Sequence, residues 1–181
     1  YRYTVETIIK KGGKTIDKYL TPFGIRSVKF DKDKGFFLNN KHLKLKGMCL
    51  HQDAGCLGTA VPDRAYERRL LILKEFGTNA IRCSHNPPSP EFLNYCDSIG
   101  FLVIDEAFDK WKSGYYEEFF DSSWQQDISD MVIRDRNHPS VILWSIGNEL
   151  AEAKLKDDTG IERAGMLQDF VHQLDPSRLV M

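Results

Sequence analysis

Short strand-like runs alternate with amphipathic helical patterns through most of this 181-residue chain, and that alternation leaves few folds open. A first run, Lys44–Leu50, ends in a loop rich in Gly, Cys, His and Asp. Pro62-Asp63 then opens a helix with Tyr66, Leu70 and Leu73 at i, i+4 and i+7, and Gly77 closes it. Thr78–Cys83 is a second strand. Ser89-Pro90-Glu91 starts the next helix with an N-cap, a proline at the first position and an acid in the first turn. Phe92, Tyr95, Cys96 and Ile99 form its inner stripe, and Gly100 ends it. Phe101-Leu102-Val103-Ile104 is an apolar run of buried-strand type. Ser123-Trp124-Gln125-Gln126 reads as a capping box for a helix that turns Trp124, Ile128, Met131 and Val132 inward. Val141–Ile146 is the fourth strand. A last helix, roughly Thr159–Leu174, carries Leu167, Phe170, Val171 and Leu174 inward, and Asp175-Pro176 stops it before a fifth strand begins. Strand–helix units with continuously apolar strands demand a parallel sheet covered by helices. A doubly wound sheet and a (β/α)₈ barrel both fit. No G-x-G-x-x-G follows the first strand, which disfavours the dinucleotide-binding version; four units make half of a barrel.

The first 39 residues follow a different rhythm. Tyr1, Tyr3, Val5 and Thr7 alternate with more polar neighbours, as in a half-buried strand, and Lys11-Gly12-Gly13-Lys14 is a hairpin signal. Thr21-Pro22-Phe23-Gly24 punctuates, Ile25–Phe30 alternates again, and Asp31–Gly35 turns the chain into Phe36-Phe37-Leu38. These strands are too few for a sandwich of their own. The expectation is therefore two parts: residues 1–39 as the β-rich tail of a preceding sandwich domain with its linker, and residues 40–181 as the first half of a barrel. The chain opens without an initiator Met or a signal segment and closes on Arg178-Leu179-Val180-Met181, which reads as a strand just begun. It is expected to be a piece of a longer protein, and its compartment is not legible. Lys plus Arg number 25 against 26 Asp plus Glu, a balance that offers no basic face for nucleic acid or an anionic membrane. No apolar run reaches the roughly 18–20 residues of a membrane-spanning helix. Four cysteines show no paired metal-ligand or disulfide spacing and read as small packed groups.

In parallel α/β folds the chemistry lies at the carboxyl ends of the strands. His51, Gln52 and Asp53 follow the first strand; Arg82 lies on the second, with Ser84, His85 and Asn86 after it; Asp105-Glu106 end the third; Gly147-Asn148-Glu149 end the fourth. Each has an ordinary structural reading, but four consecutive strand ends carrying titratable groups point to a site. Glycoside hydrolysis could use such a set, with Glu149 as the acid: burial after an apolar strand raises a carboxyl pKa, and Asn148 beside it could hold a sugar hydroxyl. Metal-assisted hydrolysis could use it too, with His51, Asp53, His85 and Asp105 as ligands. A non-catalytic carbohydrate-binding module is a third class.

The order of residues goes further. The stretch from Asp135 through Asn137-His138-Pro139 to Trp144-Ser145-Ile146-Gly147-Asn148-Glu149 resembles the acid/base signature of glycoside hydrolase family 2. Asn79-Ala80-Ile81-Arg82-Cys83-Ser84-His85-Asn86-Pro87, running on to Asp97-Ser98-Ile99-Gly100-Phe101, is similar to that family's other signature, with Asn86 where Tyr is usual. Lys46-Gly47-Met48-Cys49-Leu50-His51 and Val103-Ile104-Asp105-Glu106-Ala107 look like its first and third barrel strands, so the resemblance covers residues 21–181. It implies the first half of a (β/α)₈ TIM barrel preceded by the end of an immunoglobulin-like β-sandwich. It implies a retaining exo-β-glycosidase acting on terminal β-linked sugars, most like a β-galactosidase, with β-glucuronidase and β-mannosidase as alternatives. By the same resemblance Glu149 is the general acid/base and Asn148 holds the 2-hydroxyl. His85 and His51 contact sugar hydroxyls, Arg82 and Asp105 support the pocket floor, and Asp53 belongs to the substrate-binding loop. The nucleophile is a second Glu on a strand beyond Met181, so the chain by itself should be inactive and prone to pair with a second copy. Some members hold magnesium through a Glu and a His after the third strand; Lys110 and Lys112 stand there in this sequence. No metal or cofactor is assigned, and a carbohydrate is the one ligand implied.

Overall fold

Gly12 and Gly13 take φ of +56° and +79°, the left-handed pair that a two-residue hairpin of the favoured twist requires. They join β1 (Arg2–Lys11) to β2 (Lys14–Gly24) in an antiparallel ribbon. The computed structural model describes residues 1–154 and 157–181. One sequence expectation is corrected here. β1 is exposed along its length and pairs with β2. β2 does not break at Thr21-Pro22 but continues to Gly24, with Pro22 opposite Thr4, as an edge strand tolerates.

A second antiparallel unit follows, with β3 (Val28–Asp31), β4 (Gly35–Leu38) and β5 (Lys41–His42) in that spatial order. Its apolar side chains have a definite destination. Phe36 is buried, and Val28, Phe30 and Leu38 pack with it against Ala80, Leu102, Ile142 and Leu143, so the unit closes the base of the sheet described next. Arg26 fastens it there by donating to the carbonyls of Pro139, at 2.6 Å, and Val141.

The main sheet is parallel. β6 (Gly47–His51), α1 (Asp63–Glu75), β7 (Ala80–Ser84), α2 (Pro90–Ile99), β8 (Leu102–Glu106), α3 (Glu117–Asp135), β9 (Val141–Ser145), α4 (Thr159–Leu174) and β10 (Leu179–Val180) follow one another. The strands lie in the spatial order β10-β9-β8-β7-β6. Four consecutive strand–helix–strand crossovers in one parallel sheet make the partial (β/α)₈ barrel that the family resemblance implied. Residues facing the helices, among them Ile81, Val103 and Trp144, share one core with Leu70, Leu93, Ile128, Leu167 and Val171. Among the described residues, both outer strands, β6 and β10, have a neighbour on one side only.

Local signals explain most helix ends. The Ser89 hydroxyl accepts from the Phe92 amide at 3.3 Å, and Gly100 takes φ +86° at the end of α2. α3 does not begin at the Ser123 capping box; it starts at Glu117, and Ser123 lies inside it. Phe120, fully buried against Phe108 and Tyr116, anchors those earlier turns, and Glu117 and Glu118 suit the positive end of the helix dipole.

Candidate active site

At the carboxyl end of β8, alternation decides which acid enters the barrel. Adjacent strand residues face opposite sides. Glu106 faces inward, and three elements converge on its fully buried carboxylate. Arg82 on β7 donates from Nε at 2.8 Å, with Nη2 at 2.6 Å, Ser145 on β9 donates from Oγ at 2.6 Å, and His85 Nδ1 lies 2.6 Å from Oε1. Contact with a carboxylate puts the His85 proton on Nδ1 and leaves Nε2 for a ligand. The His51 ring meets His85 edge-on, with centroids 5.3 Å apart.

A second knot holds the end of β9. Asn148 accepts from Arg82 Nη2 at 3.1 Å and donates from Nδ2 to Asp109 at 3.0 Å, so both ends of its amide are oriented. Its backbone amide donates to the Asp109 carbonyl at 3.0 Å. Lys110 reaches Asp109 at 2.9 Å, the Asn148 carbonyl at 3.3 Å and Glu149 Oε2 at 3.4 Å. Burial opposes ionisation of Asp109, yet Lys110 and Asn148 outweigh it and hold the carboxyl below its ordinary value. Trp111, buried, donates its indole N–H to the Ile146 carbonyl at 2.6 Å. Gly147 is the residue this packing permits, since a Cβ there would lie 2.8 Å from Leu150 Cδ2 and 3.1 Å from the Trp111 nitrogen. Glu149 itself has φ +44°, a conformation that costs a non-glycine residue about 1 kcal/mol and that clusters at functional positions.

The residues singled out from sequence thus divide. His51, Arg82, His85, Asn148 and Glu149 gather at one end of the sheet. Asp105 does not join them. Its neighbour Glu106 takes the inward position, and Asp105 is fully buried on the helix side beside Asp135, which Arg134 pairs at 2.7 Å. Burial first, and then the charge of Asp135, push the Asp105 carboxyl well above its usual range. Asp53 also stays apart: it is exposed on the loop after β6, where its backbone carbonyl accepts from Arg69 at 2.6 Å. The burial expected at Glu149 is absent as well, its side chain being 79% exposed.

That division bears on metals. A ligand set of His51, Asp53, His85 and Asp105 is not assembled, because Asp105 lies across the sheet from the histidines. Among the described residues no cluster of three or more His, Cys, Asp or Glu is arranged to hold a metal ion. At the positions where the resemblance puts a magnesium site, the Lys110 ammonium pairs with Asp109 and Glu149, and Lys112 pairs with Asp121. Ammonium groups repel a cation rather than ligate it, so these residues do not fit that site. The sequence reading missed Glu106 as a hub, together with Asp109 and Trp111. The Asp105-Glu106 doublet was the available signal, since only one of two neighbours can face the barrel interior.

Comparison with known proteins agrees with this geometry. Residues 28–181 match the family model described as "Glycosyl hydrolases family 2, TIM barrel domain". "Beta-galactosidase BoGH2A" of Bacteroides ovatus is 49% identical over 179 residues, covering 95% of this chain and 21% of that protein. "Beta-glucuronidase" of Bacteroides fragilis is 33% identical, covering 98% of this chain and 26% of its own length. A solved glycosyl hydrolase family 2 member from Bacteroides cellulosilyticus superposes with a TM-score of 0.93 at 47% identity, over 99% of this chain and 24% of that one. The chain therefore spans between a fifth and about a quarter of the length of these relatives. The family match, extending from β3 through all five parallel strands, assigns the chain to glycosyl hydrolase family 2.

Proposed function

We propose that the whole protein is a retaining exo-β-glycosidase that releases terminal β-linked sugars, galactose foremost, and that this chain supplies the acid/base half of its active site. The observation that carries the reading is the knot at the end of β9. Arg82 and Asp109 orient the Asn148 amide, and Lys110 holds the next residue, Glu149, at 3.4 Å. In this reading Glu149 gives its proton to the leaving oxygen and later takes one from water. Asn148 meets the 2-hydroxyl, His85 Nε2 and His51 meet further hydroxyls, and Arg82 supports from below.

Retention needs a second carboxylate about 5–5.5 Å from the first, across the sugar. Glu106 is committed to Arg82, His85 and Ser145, and Asp109 to Lys110 and Asn148. Glu152 is buried and accepts from the Lys112 amide at 2.9 Å and Arg163 at 2.7 Å, which makes it a brace for its loop. We assign the nucleophile to a barrel strand following β10. The galactose preference rests on the name of the 49% identical relative; β-glucuronidase is the second reading, since relatives at 41% and 33% identity carry that name.

Glu149→Gln in the whole protein tests the role. Turnover of β-galactosyl disaccharides should fall by about 10²–10⁴-fold, the size of a general-acid contribution. Galactosides of dinitrophenol, whose leaving group needs little protonation, should keep a fast first step. Equal losses on both substrate types would remove Glu149 from the role, and a panel of aryl galactosides, glucuronides and mannosides decides the sugar.

A further inference from the structure

Glu106 divides its two carboxylate oxygens between different partners. Oε2 accepts from Arg82 Nε at 2.8 Å, with Nη2 at 2.6 Å, and from Ser145 Oγ at 2.6 Å. Among the described residues, Oε1 meets His85 Nδ1 alone, at 2.6 Å. We propose that Glu106 is the positioning residue that sets the polarity of His85, so that Nε2 takes a hydrogen bond from a hydroxyl of the sugar and does not give one. The inference rests on the glycosidase reading above and adds which way that contact runs and which buried side chain decides it.

The pairing at Nδ1 carries the argument. Glu106 is fully buried with Arg82 against it. Burial opposes the charge on Arg82, but the Glu106 carboxylate outweighs it and raises the guanidinium above its ordinary value. A carboxylate can only accept, so the proton between Oε1 and the ring belongs to Nδ1. The buried charges of Glu106 and Arg82 balance without one on the ring, and a neutral imidazole protonated at Nδ1 carries a lone pair at Nε2. The His85 side chain is 21% exposed and that of Glu106 not at all, so the open part of the ring is the edge away from Nδ1. Nε2 lies on that edge, with no partner among the described residues and without being sealed from solvent. The His51 ring packs edge-on against it.

Polarity matters because a sugar hydroxyl both gives and takes a hydrogen bond. Arg82 and Lys110, which stand at the same end of the sheet, only donate. An accepting Nε2 uses the proton of the hydroxyl and leaves its oxygen for such donors, so one ring decides whether both halves of the hydroxyl are satisfied.

Glu106→Gln reverses the ring by a route that the geometry dictates. The donors of Arg82 and Ser145 converge on Oε2, so the amide oxygen takes that place and the amide nitrogen takes the place of Oε1. Nδ1 must then accept, and the proton moves to Nε2. In the whole protein, competitive binding is measured for the methyl β-thioglycoside of the sugar that the aryl panel selects, with each hydroxyl from the 3-position outward replaced in turn by hydrogen and by fluorine. Fluorine accepts but cannot donate, and a thioglycoside resists cleavage, so the comparison reads polarity and not chemistry. In the unaltered protein, loss of one hydroxyl should raise Kd by about two- to tenfold, the size of one neutral hydrogen bond, with fluorine no better than hydrogen there. Glu106→Gln should reverse the order at that same hydroxyl, fluorine becoming the tighter by about twofold. Ser145→Ala, which loosens Oε2 and leaves the pair of Oε1 and Nδ1, should keep the original order. If Glu106→Gln does not fold, His85→Ala decides, since it should abolish the cost of removing that hydroxyl. Fluorine binding tighter than hydrogen at every position of the unaltered protein, an order that Glu106→Gln leaves alone, or a cost that survives His85→Ala overturns the inference and leaves the glycosidase reading standing. If the unaltered protein hydrolyses no aryl glycoside and binds no thioglycoside, the glycosidase reading falls and the polarity of the contact with it.

Discussion

Glu106 and Asp105 are one bond apart in sequence and live in opposite electrostatic worlds. The first is a buried carboxylate that receives a guanidinium, a hydroxyl and an imidazole. The second is a buried carboxyl whose oxygens find no donor among the described residues and whose neighbour Asp135 pairs with Arg134. A carboxyl so placed holds its proton to higher pH than a free one. Because its folded pKa is raised, the unfolded chain releases a proton above the ordinary carboxyl range that the folded chain retains, so this group lowers stability as pH rises. Asp105→Asn removes that dependence. Its stability relative to the unaltered protein, measured by urea unfolding, should improve between pH 4 and pH 7; a constant difference would mean that Asp105 is ionised in place. Sequence pointed to Asp105 for the site because an unbroken apolar strand offers no alternation from which to tell its faces. Glu149, Asn148, His85 and Arg82 stand out in the sequence because they sit inside long ordered signatures; the hydrogen bonds around them do not, because those depend on side chains brought from three strands.

Elements differed in how openly they declared themselves. α2 and α4 carry their punctuation in the sequence, as Ser89-Pro90 with Gly100 and as Asp175-Pro176, and the structure begins and ends them there. α3 hides its start, because aromatic packing at Phe120 sets it and the Ser123 pattern imitates a cap. The junction after α4 also hides its strongest device. Asp175 accepts from the Trp144 indole at 3.0 Å and from Ser177 and Arg178, tying the end of α4 to β9 and β10. Burial opposes its ionisation, but the Ser177 hydrogen bonds and Arg178 prevail and hold it at about 2, against an ordinary 3.8. A depressed carboxyl stabilises the fold above its unfolded pKa, and that share is lost as pH falls from about 4 to about 2. After allowance for screening the share is about 1–2 kcal/mol. Thermal unfolding from pH 5 to pH 2 should show a steeper fall for the unaltered protein than for Asp175→Asn; parallel curves would assign the acid sensitivity to other carboxylates.

At the scale of the molecule, the strand–helix rhythm disclosed a helix-covered parallel sheet, the resemblance to the family made it a barrel, and the β-rich start disclosed its strands. Among the described residues, the parallel sheet has unpaired edges at β6 and β10, which present open backbone groups to water. The 181-residue chain expressed by itself should therefore self-associate, pairing edges in a dimer or aggregating, and should not turn over galactosides. Sedimentation and a galactoside assay on one sample check both halves, and a stable, active monomer would refute them. The unit of β3–β5 adds a matter of timing. It is synthesised before every strand whose base it closes, and Ile142 and Leu143, against which Phe36 comes to rest, follow it by roughly a hundred residues. At synthesis rates of about 5–20 residues per second, that plug waits some 5–20 s on the ribosome with its aromatic face uncovered. A barrel built floor first thus leaves its earliest apolar surface in the care of whatever the cell keeps at the exit tunnel until the walls arrive.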